Sequence, residues 1–504
     1  MQADRKIPGK QVVAWAFWDW GSSAFNAVVT TFVFTVYLTS TKGFGGTDFV
    51  STWLGWGLGL SGLLVALLAP VTGQRADGSG RRKFWLAINT GIVILCIAGL
   101  YFVTPSPVLL FLGIALLAIG TVFYELAAVN YNAMLIQVST RKTVGRVSGF
   151  GWAMGYFGGI VLLLILYFGF IHPDVGLFGV TSANGLSVRV SMLLAALWFL
   201  LSALPVLLTV PEIPLTAGRK KTGFVDSYGV LGDDVWKLWR ESRRTVWFLI
   251  SSAIFRDGLT GVFTFGGVLA AGTFGFSAGE VIIFAIAANV VAGLSTVAVG
   301  ALDDRVGPKP VIVAALVGLI VSGLLVFFLH DGGQVVFWTA GLALCLFVGP
   351  AQSASRTFLS RLAPAGREGE VFGLYATTGR AATFLAPILF AAFISVFGKQ
   401  YWGILGIVLV IVVGLALIIP VAAPHRPQTA VVPIELPRVE PFAVLGIMTF
   451  PFAGIFAIIF GFIALARIRR DGLAGRRLAI LSVIIGCVAV VITVIIVAVR
   501  LTAG

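Results

Sequence analysis

Charge is scarce in this sequence. Of its 504 residues, 11% are Asp, Glu, Lys or Arg, against 58% hydrophobic. A soluble domain keeps about a quarter of its residues charged, so this composition excludes a water-facing surface over most of the chain. Acid is the scarcer sign: 21 Asp and Glu against 35 Lys and Arg give a net charge of +14. Cysteine and histidine number three each. Cys96, Cys345 and Cys487 lie in separate apolar runs, a spacing that suits neither a disulfide framework nor a metal site. His172, His330 and His425 fall in connecting segments, which argues against a histidine proton relay within a membrane. No G-x-x-x-x-G-K-[ST] loop occurs and no polar segment could house an ATPase domain, so transport driven by the chain's own ATP hydrolysis is not expected. No nucleophile–base pair marks an enzyme, and no cofactor is expected.

Apolar runs are what the chain has in abundance. Mean hydropathy is +1.01. Roughly fourteen runs are long enough to cross about 30 Å of hydrocarbon. Lipid leaves their backbone groups no outside partner, so they are expected to be helices. The fold class is an all-α membrane protein whose surroundings are a lipid bilayer. The first twelve spans are expected at 13–39, 51–72, 84–103, 108–138, 146–170, 188–210, 246–272, 279–301, 310–329, 334–359, 370–397 and 401–420. Lys and Arg collect in alternate loops: Arg5, Lys6 and Lys10; Arg75, Arg81, Arg82 and Lys83; Arg141 and Lys142; Arg305 and Lys309; Arg361 and Arg367. These loops, and the N-terminus with them, are expected in the cytoplasm. Dispersal over short loops explains the positive charge as topology and argues against nucleic acid as a partner. The basic start MQADRKIPGK enters the first run without a small-residue cleavage site and reads as a retained first helix.

Residues 211–245 form the longest polar segment. Within it Leu231, Val235, Leu238 and Trp239 share one helical face, the pattern of a helix lying on the cytoplasmic bilayer surface with its Trp residues at headgroup level. It separates a six-helix half, 1–210, from a second, 246–420. A Pro-rich linker, 421–440, leads to a Gly-rich tail, 441–504, with two apolar runs around ARIRRDGLAGRR. Twelve crossings return the chain to the cytoplasm. A re-entrant hairpin, interrupted at Pro451, is therefore expected for the first tail run, because it keeps Arg467, Arg469, Arg470, Arg476 and Arg477 inside.

The halves repeat. GQRADGSGRRK, from Gly73, and GALDDRVGPK, from Gly300, follow the second and eighth spans 227 residues apart. GRVSGFGW, from Gly145, matches GEVFGLYA, from Gly369, at an offset of 224. WDWGSSAF matches RDGLTGVF and aligns Asp19 with Asp257, at an offset of 238 that a longer first exterior loop absorbs. Such repeats are what duplicated transporter folds show in sequence.

The paired G-x-x-x-D-x-x-G-x-[KR] loops resemble the cytoplasmic signature of the major facilitator superfamily. FWDWGSSAF, GRVSGFGWAMGYFGG, FRDGLTGVFTFG and QSASRTFLSRLAPAGREGEVFGLY resemble more narrowly the branch related to the autophagy-linked vacuolar amino-acid effluxers, over about residues 12 to 420. The tail resembles a small Gly-rich hairpin domain of unknown function. The resemblance implies a 6+6 helix bundle of the major-facilitator type, with a C-terminal membrane hairpin appended. It implies a secondary transporter that moves a small solute, an amino acid by analogy, outward. A membrane sensor or scaffold that uses the tail for interactions is the rival reading.

Few ionisable residues lie within the spans: Asp19, Glu125, Arg256, Asp257 and Arg380. A charge at membrane depth costs at least ~3 kcal/mol, so these should face the bundle interior or water and should pair. The resemblance places Asp19, Glu125 and Asp257 on cavity-lining helices one, four and seven, with Arg380 of helix eleven reaching inward. The acids would then hold a proton or a substrate amine, and Arg256 or Arg380 a carboxylate. The competing structural reading is neutralisation and packing alone. For Asp19 that reading adds an interfacial belt in which Trp18 and Trp20 present their indole NH groups. Asn26, Asn130, Asn132 and Asn289 can hydrogen-bond a small solute or another helix. The resemblance also implies a gate on the N-terminal side, from Gly73, Asp77 and Arg81 or Arg82 in the first half and Gly300, Asp304, Arg305 and Lys309 in the second. Arg75 and Gly78 depart from the usual pattern, which weakens the first latch. Gly151, Gly155 and Gly159, four apart, predict a close helix crossing.

Overall fold

The structure is a computed structural model and describes residues 8–79, 81–139, 144–212, 224–363 and 368–422. Among them there is no β-strand, only an isolated bridge between Val175 and Thr181. Among the described residues eleven helical spans are long and apolar enough to cross a membrane. The eighth expected span begins as a shorter apolar helix, Ala278–Ala292, which continues to Val306. The expected tail hairpin lies outside the described residues.

In chain order the helices are α1 (Gly9–Ser40), α2 (Thr47–Ser79), α3 (Arg82–Gly99), α4 (Pro107–Ala133), α5 (Val144–Leu166) and α6 (Leu186–Thr209). An amphipathic helix, α7 (Phe224–Glu241), follows, with its Leu238 buried. The second set is α8 (Arg243–Gly272), α9 (Ala278–Val306), α10 (Pro308–Phe328) and α11 (Leu342–Leu362), then α12 (Glu368–Ala381), α13 (Leu385–Phe397) and α14 (Gly403–Ile418). Leu95, Val108 and Leu208 are more than two-thirds exposed, as side chains turned to acyl chains must be.

Two compact units divide the chain. One comprises Met1–Ile286, Leu316–Leu344 and Ala363–Val421; the other comprises Ala287–Ala315, Cys345–Leu362 and Ala422–Gly504. Apart from the expected gate residues Gly300, Asp304, Arg305 and Lys309, every side chain invoked below lies in the first.

Within that unit, α1 packs on α5 and α6, while α4 packs on α2 and α3. Glycine permits the first of these contacts. A Cβ at Gly158 would collide with the backbone of Trp20, and one at Gly155 would lie 3.6 Å from the Asp19 carboxyl carbon. The Gly-rich stretch of α5 is thus the close crossing that its spacing predicts, laid against the segment of α1 that carries Asp19. In the second set, α8 packs on α14, α12 and α13, and Phe265 stacks on Phe390 at 3.9 Å.

Two irregular spans bear on the site. Ala24–Phe32, in the middle of α1, is π-helical; the Val33 N–H bonds the Val28 carbonyl five residues back. The eleventh span, expected as one helix over 370–397, is broken into α12 and α13 by a turn over Ala382–Phe384. Pro387 explains the break: it has no N–H to bond the Thr383 carbonyl, and its ring crowds that carbonyl. Gly62 of α2 lets the turn approach, because a Cβ there would lie 2.8 Å from the Thr383 oxygen and 2.9 Å from the Phe384 Cα.

Candidate functional site

The ionisable groups at membrane depth fall into three settings. Glu125, two turns before the end of α4, meets Arg380, the penultimate residue of α12. Arg380 Nε donates to Glu125 Oε2 at 3.1 Å. The pair joins the two halves through side chains 255 positions apart in sequence. Their side chains keep 28% and 18% of their surface exposed, so neither is sealed in protein.

Asp257 is buried, and its Oδ2 accepts the Ala386 backbone N–H at 2.6 Å. Ala386 is the second residue of α13. The break in the eleventh span leaves the first N–H groups of α13 without intrahelical acceptors, at the positive end of its dipole. Asp257 fills that role from a neighbouring helix. Arg256, one residue earlier and about 100° around the helix, turns elsewhere. Its guanidinium lies 4.0 Å from the Tyr375 ring centroid and donates to the Tyr375 carbonyl at 3.2 Å. Space for it exists because residue 379 is Gly, where a Cβ would come within 2.8 Å of Nη1.

Asp19 sits at the foot of a polar ladder between α1 and α4. Ser22 Oγ donates to the Asp19 carbonyl at 3.0 Å and lies 3.4 Å from Oδ1. The Tyr124 hydroxyl is 3.5 Å from Ser22 Oγ and accepts from Asn26 Nδ2 at 2.6 Å. Asn26 is exposed and Tyr124 precedes Glu125, so the ladder runs from Asp19 toward the inter-half pair. Its wall is aromatic: Tyr131 stacks on Trp15 at 4.5 Å and on Trp18 at 4.3 Å. The Trp18 indole is buried and donates to Thr90 Oγ1 at 3.0 Å, so it belongs to the bundle interior and not to an interfacial belt. Trp20 stacks on Trp198 at 5.7 Å.

Asn130 and Asn132 stand apart from this ladder. Asn130 is buried and donates back to the Leu126 carbonyl at 2.9 Å, while Asn132 is exposed. Of the expected gate, Gly73 and Asp77 lie on α2 and Gly300, Asp304 and Arg305 on α9, where only the backbone is described. Arg81 is exposed at the entry to α3, and Lys309 is half-buried at the start of α10. Arg82 Nη1 donates to the Ala133 carbonyl at the end of α4, at 2.9 Å. Lys83 Nζ reaches the Val210 carbonyl beyond α6 at 3.2 Å. These two cations thus close the C-terminal ends of neighbouring helices, where the dipole favours them.

The sequence reading missed a network at the opposite end of the bundle. Gln400, buried between the eleventh and twelfth spans, accepts from Thr273 Oγ1 at 2.6 Å and donates Nε2 to Ser51 Oγ at 2.9 Å and to the Val268 carbonyl at 3.2 Å. Its backbone N–H bonds Asp48 Oδ1 at 2.6 Å. Asp48 and Ser51 belong to α2, in the first half. One amide therefore ties the halves together at the face distal to the N-terminus. Gly267 of α8 lies against the Thr31 backbone of α1 on the same side, and α2 packs along α13. The signal in sequence was slight: a polar pair, Lys399 and Gln400, between two apolar runs.

An all-α bundle of this order is the architecture of membrane transporters of the major facilitator type. The nucleoside transporter NupG superposes with a TM-score of 0.57 at 15% identity, over 81% of this chain and 98% of its own. A D-xylose-proton symporter gives 0.57 at 14%, over 82% and 98%. The uncharacterized MFS-type transporter YxiO of Bacillus subtilis is 25% identical over 418 residues, 81% of this chain and 94% of the relative. Autophagy-related protein 22 of Yarrowia lipolytica is 24% identical over 305 residues, 54% of this chain and 50% of that protein. The profile of the vacuole effluxer Atg22-like family matches residues 49–431, and the chain belongs to that family. It is a multi-pass membrane transporter and not an enzyme. A second profile, a domain of unknown function (DUF4190), matches residues 442–496, outside the described residues.

Proposed function

We propose that this transporter moves a small solute, an amino acid as its class, outward across the cell membrane by alternating access coupled to protons, with its N-terminus in the cytoplasm. The Glu125–Arg380 pair carries the reading. It is the one described place where opposite charges from the two halves meet at membrane depth while keeping water-accessible surface. A zwitterion presents the same two charges, so its ammonium can take over Glu125 and its carboxylate Arg380 as the halves part. Asp19 and Asp257, at equivalent positions of the repeat, are the proton-exchanging candidates. Asn26 and Tyr124 lie between Asp19 and the pair and orient what binds. Asn130 supports helix packing in this reading. Gly73, Asp77, Arg81 and Arg82 serve the cytoplasmic gate in the first half, Gly300, Asp304, Arg305 and Lys309 serve it in the second, and the Gln400 network is the exterior counterpart. The basic loops on the N-terminal side support the orientation.

The test is uptake of a panel of labelled amino acids into proteoliposomes, with and without an imposed pH gradient. Accumulation of a zwitterionic amino acid that collapses when the gradient is dissipated is the expected result. Gradient-independent uptake would remove the proton, and flux of other solutes without any amino acid would remove the substrate class.

A further inference from the structure

We propose that α7 and the entry to α8 form a binding site for one anionic phospholipid headgroup, phosphatidylglycerol being its simplest representative. An open recess of about 400 Å³ is lined by Tyr228, Gly232, Val235, Trp236 and Trp239. That volume lies within the range of small-molecule sites, about 300–1,000 Å³. Its floor is aromatic and its edge is cationic. The Arg240 guanidinium lies 5.2 Å from the Trp236 ring centroid, and that of Arg243 lies 5.7 Å from Trp239. Each indole of the recess therefore carries an arginine over its face.

The chain builds this arrangement locally. Ser242, at φ −148° and ψ 85°, breaks the helix between α7 and α8, and its hydroxyl pairs with Thr245 Oγ1 at 2.7 Å. The turn sets Trp239 6.3 Å from Trp247 on α8. Trp236 is 57% exposed and Trp247 44%, although both are large and apolar. Leu238 is buried on the other side, and the Tyr228 hydroxyl donates to the Leu67 carbonyl of α2, so the recess is fastened to a spanning helix. Because α8 begins at Arg243, the recess lies where a membrane span starts, which is headgroup depth.

Charge selects the occupant. Arg240, Arg243 and Arg244 are exposed at this end of the helix pair, with Lys237 one turn earlier. The acids described on α7 are Asp233, nearly two turns from Arg240, and Glu241. A guanidinium fork matches phosphate oxygens two at a time, and indoles hold the glycerol and upper acyl region beside it. A zwitterionic choline headgroup brings its own cation to the same rim and forfeits that match.

The experiment uses the full-length, delipidated protein in detergent, titrated with phosphatidylglycerol, phosphatidylcholine of matched chains, and glycerol 3-phosphate, with bound ligand counted by native mass spectrometry. Phosphatidylglycerol should bind most tightly, and Arg240→Gln and Arg243→Gln should each weaken it by about fivefold. Trp236→Ala should weaken both lipids. Arg240→Lys with Arg243→Lys should keep part of the preference, which separates loss of charge from loss of fold, and helical circular dichroism should be the same in all variants. Equal affinity for the two lipids, a preference that survives Arg240→Gln with Arg243→Gln, or glycerol 3-phosphate binding as well as the lipid would each overturn the proposal.

Discussion

Glu125 and Arg380 are costly residues singly and tolerable together. Replacing one leaves the other charged at membrane depth, and the loss should be about 2–3 kcal/mol of stability, less than for a sealed pair because both keep some exposed surface. Glu125→Gln and Arg380→Gln should each lower the thermal stability of the purified protein, and the double variant should be more stable than either. Equal, additive losses would mean that the pair is not coupled. Asp257 separates two roles in another way. Asparagine retains an oxygen for the Ala386 N–H and loses the charge; leucine loses both. A purely structural cap predicts that Asp257→Asn transports normally and that Asp257→Leu loses about 1 kcal/mol of stability. The proposed proton role predicts that Asp257→Asn is stable and does not transport against a gradient. Proteoliposome flux and a melting curve together decide between them. At this scale the sequence marked which positions to follow, because an ionisable residue in an apolar run stands out. It did not pair them: Arg256 lies beside Asp257 in sequence yet faces Tyr375, and Arg380 finds its partner across the halves.

The elements owe their functional features to residues that break helical rules. Pro387 and the turn before it convert one span into two, which is what brings a half-helix N-terminus to Asp257. Gly62 makes room for that turn. Gly62→Leu should therefore cost about 1–3 kcal/mol, through overpacking against the Thr383 and Phe384 backbone, while a substitution at Gly91, with nothing within 4 Å of its Cβ position, should cost far less. Comparing the melting temperatures of the two variants checks this, and equal losses would count against the close approach. The break was hidden in the sequence because both of its sides are apolar; only the proline hinted at it. The glycines of α5 were legible, since spacing alone predicts a crossing. Their contact with the Asp19 segment was not, because spacing does not name the partner.

For the whole molecule, the long apolar runs announced an all-α membrane bundle, and the twofold sequence repeat pointed to a transporter fold. The network at the face distal to the N-terminus left only the polar pair Lys399 and Gln400 as a trace, since it joins Asp48, Ser51, Thr273 and Gln400 from loops and helix ends far apart in the chain. Gln400→Ala removes three side-chain hydrogen bonds at once. At about 1 kcal/mol each after solvent exchange, their loss should shift the balance toward a distally open state by tenfold or more. A cysteine placed at Thr31 should then react faster with a membrane-impermeant thiol reagent added from the distal side. The two described native cysteines, Cys96 and Cys345, are buried and give little background. An unchanged labelling rate would show that the network does not act as a gate.

The measurement that bears most directly on the account is exchange of a labelled zwitterionic amino acid across proteoliposomes, wild type against Glu125→Gln, at matched protein insertion. If the inter-half carboxylate receives the solute's ammonium, the variant should lose at least nine-tenths of the flux while remaining folded. Flux at the wild-type level in a folded Glu125→Gln protein would contradict it.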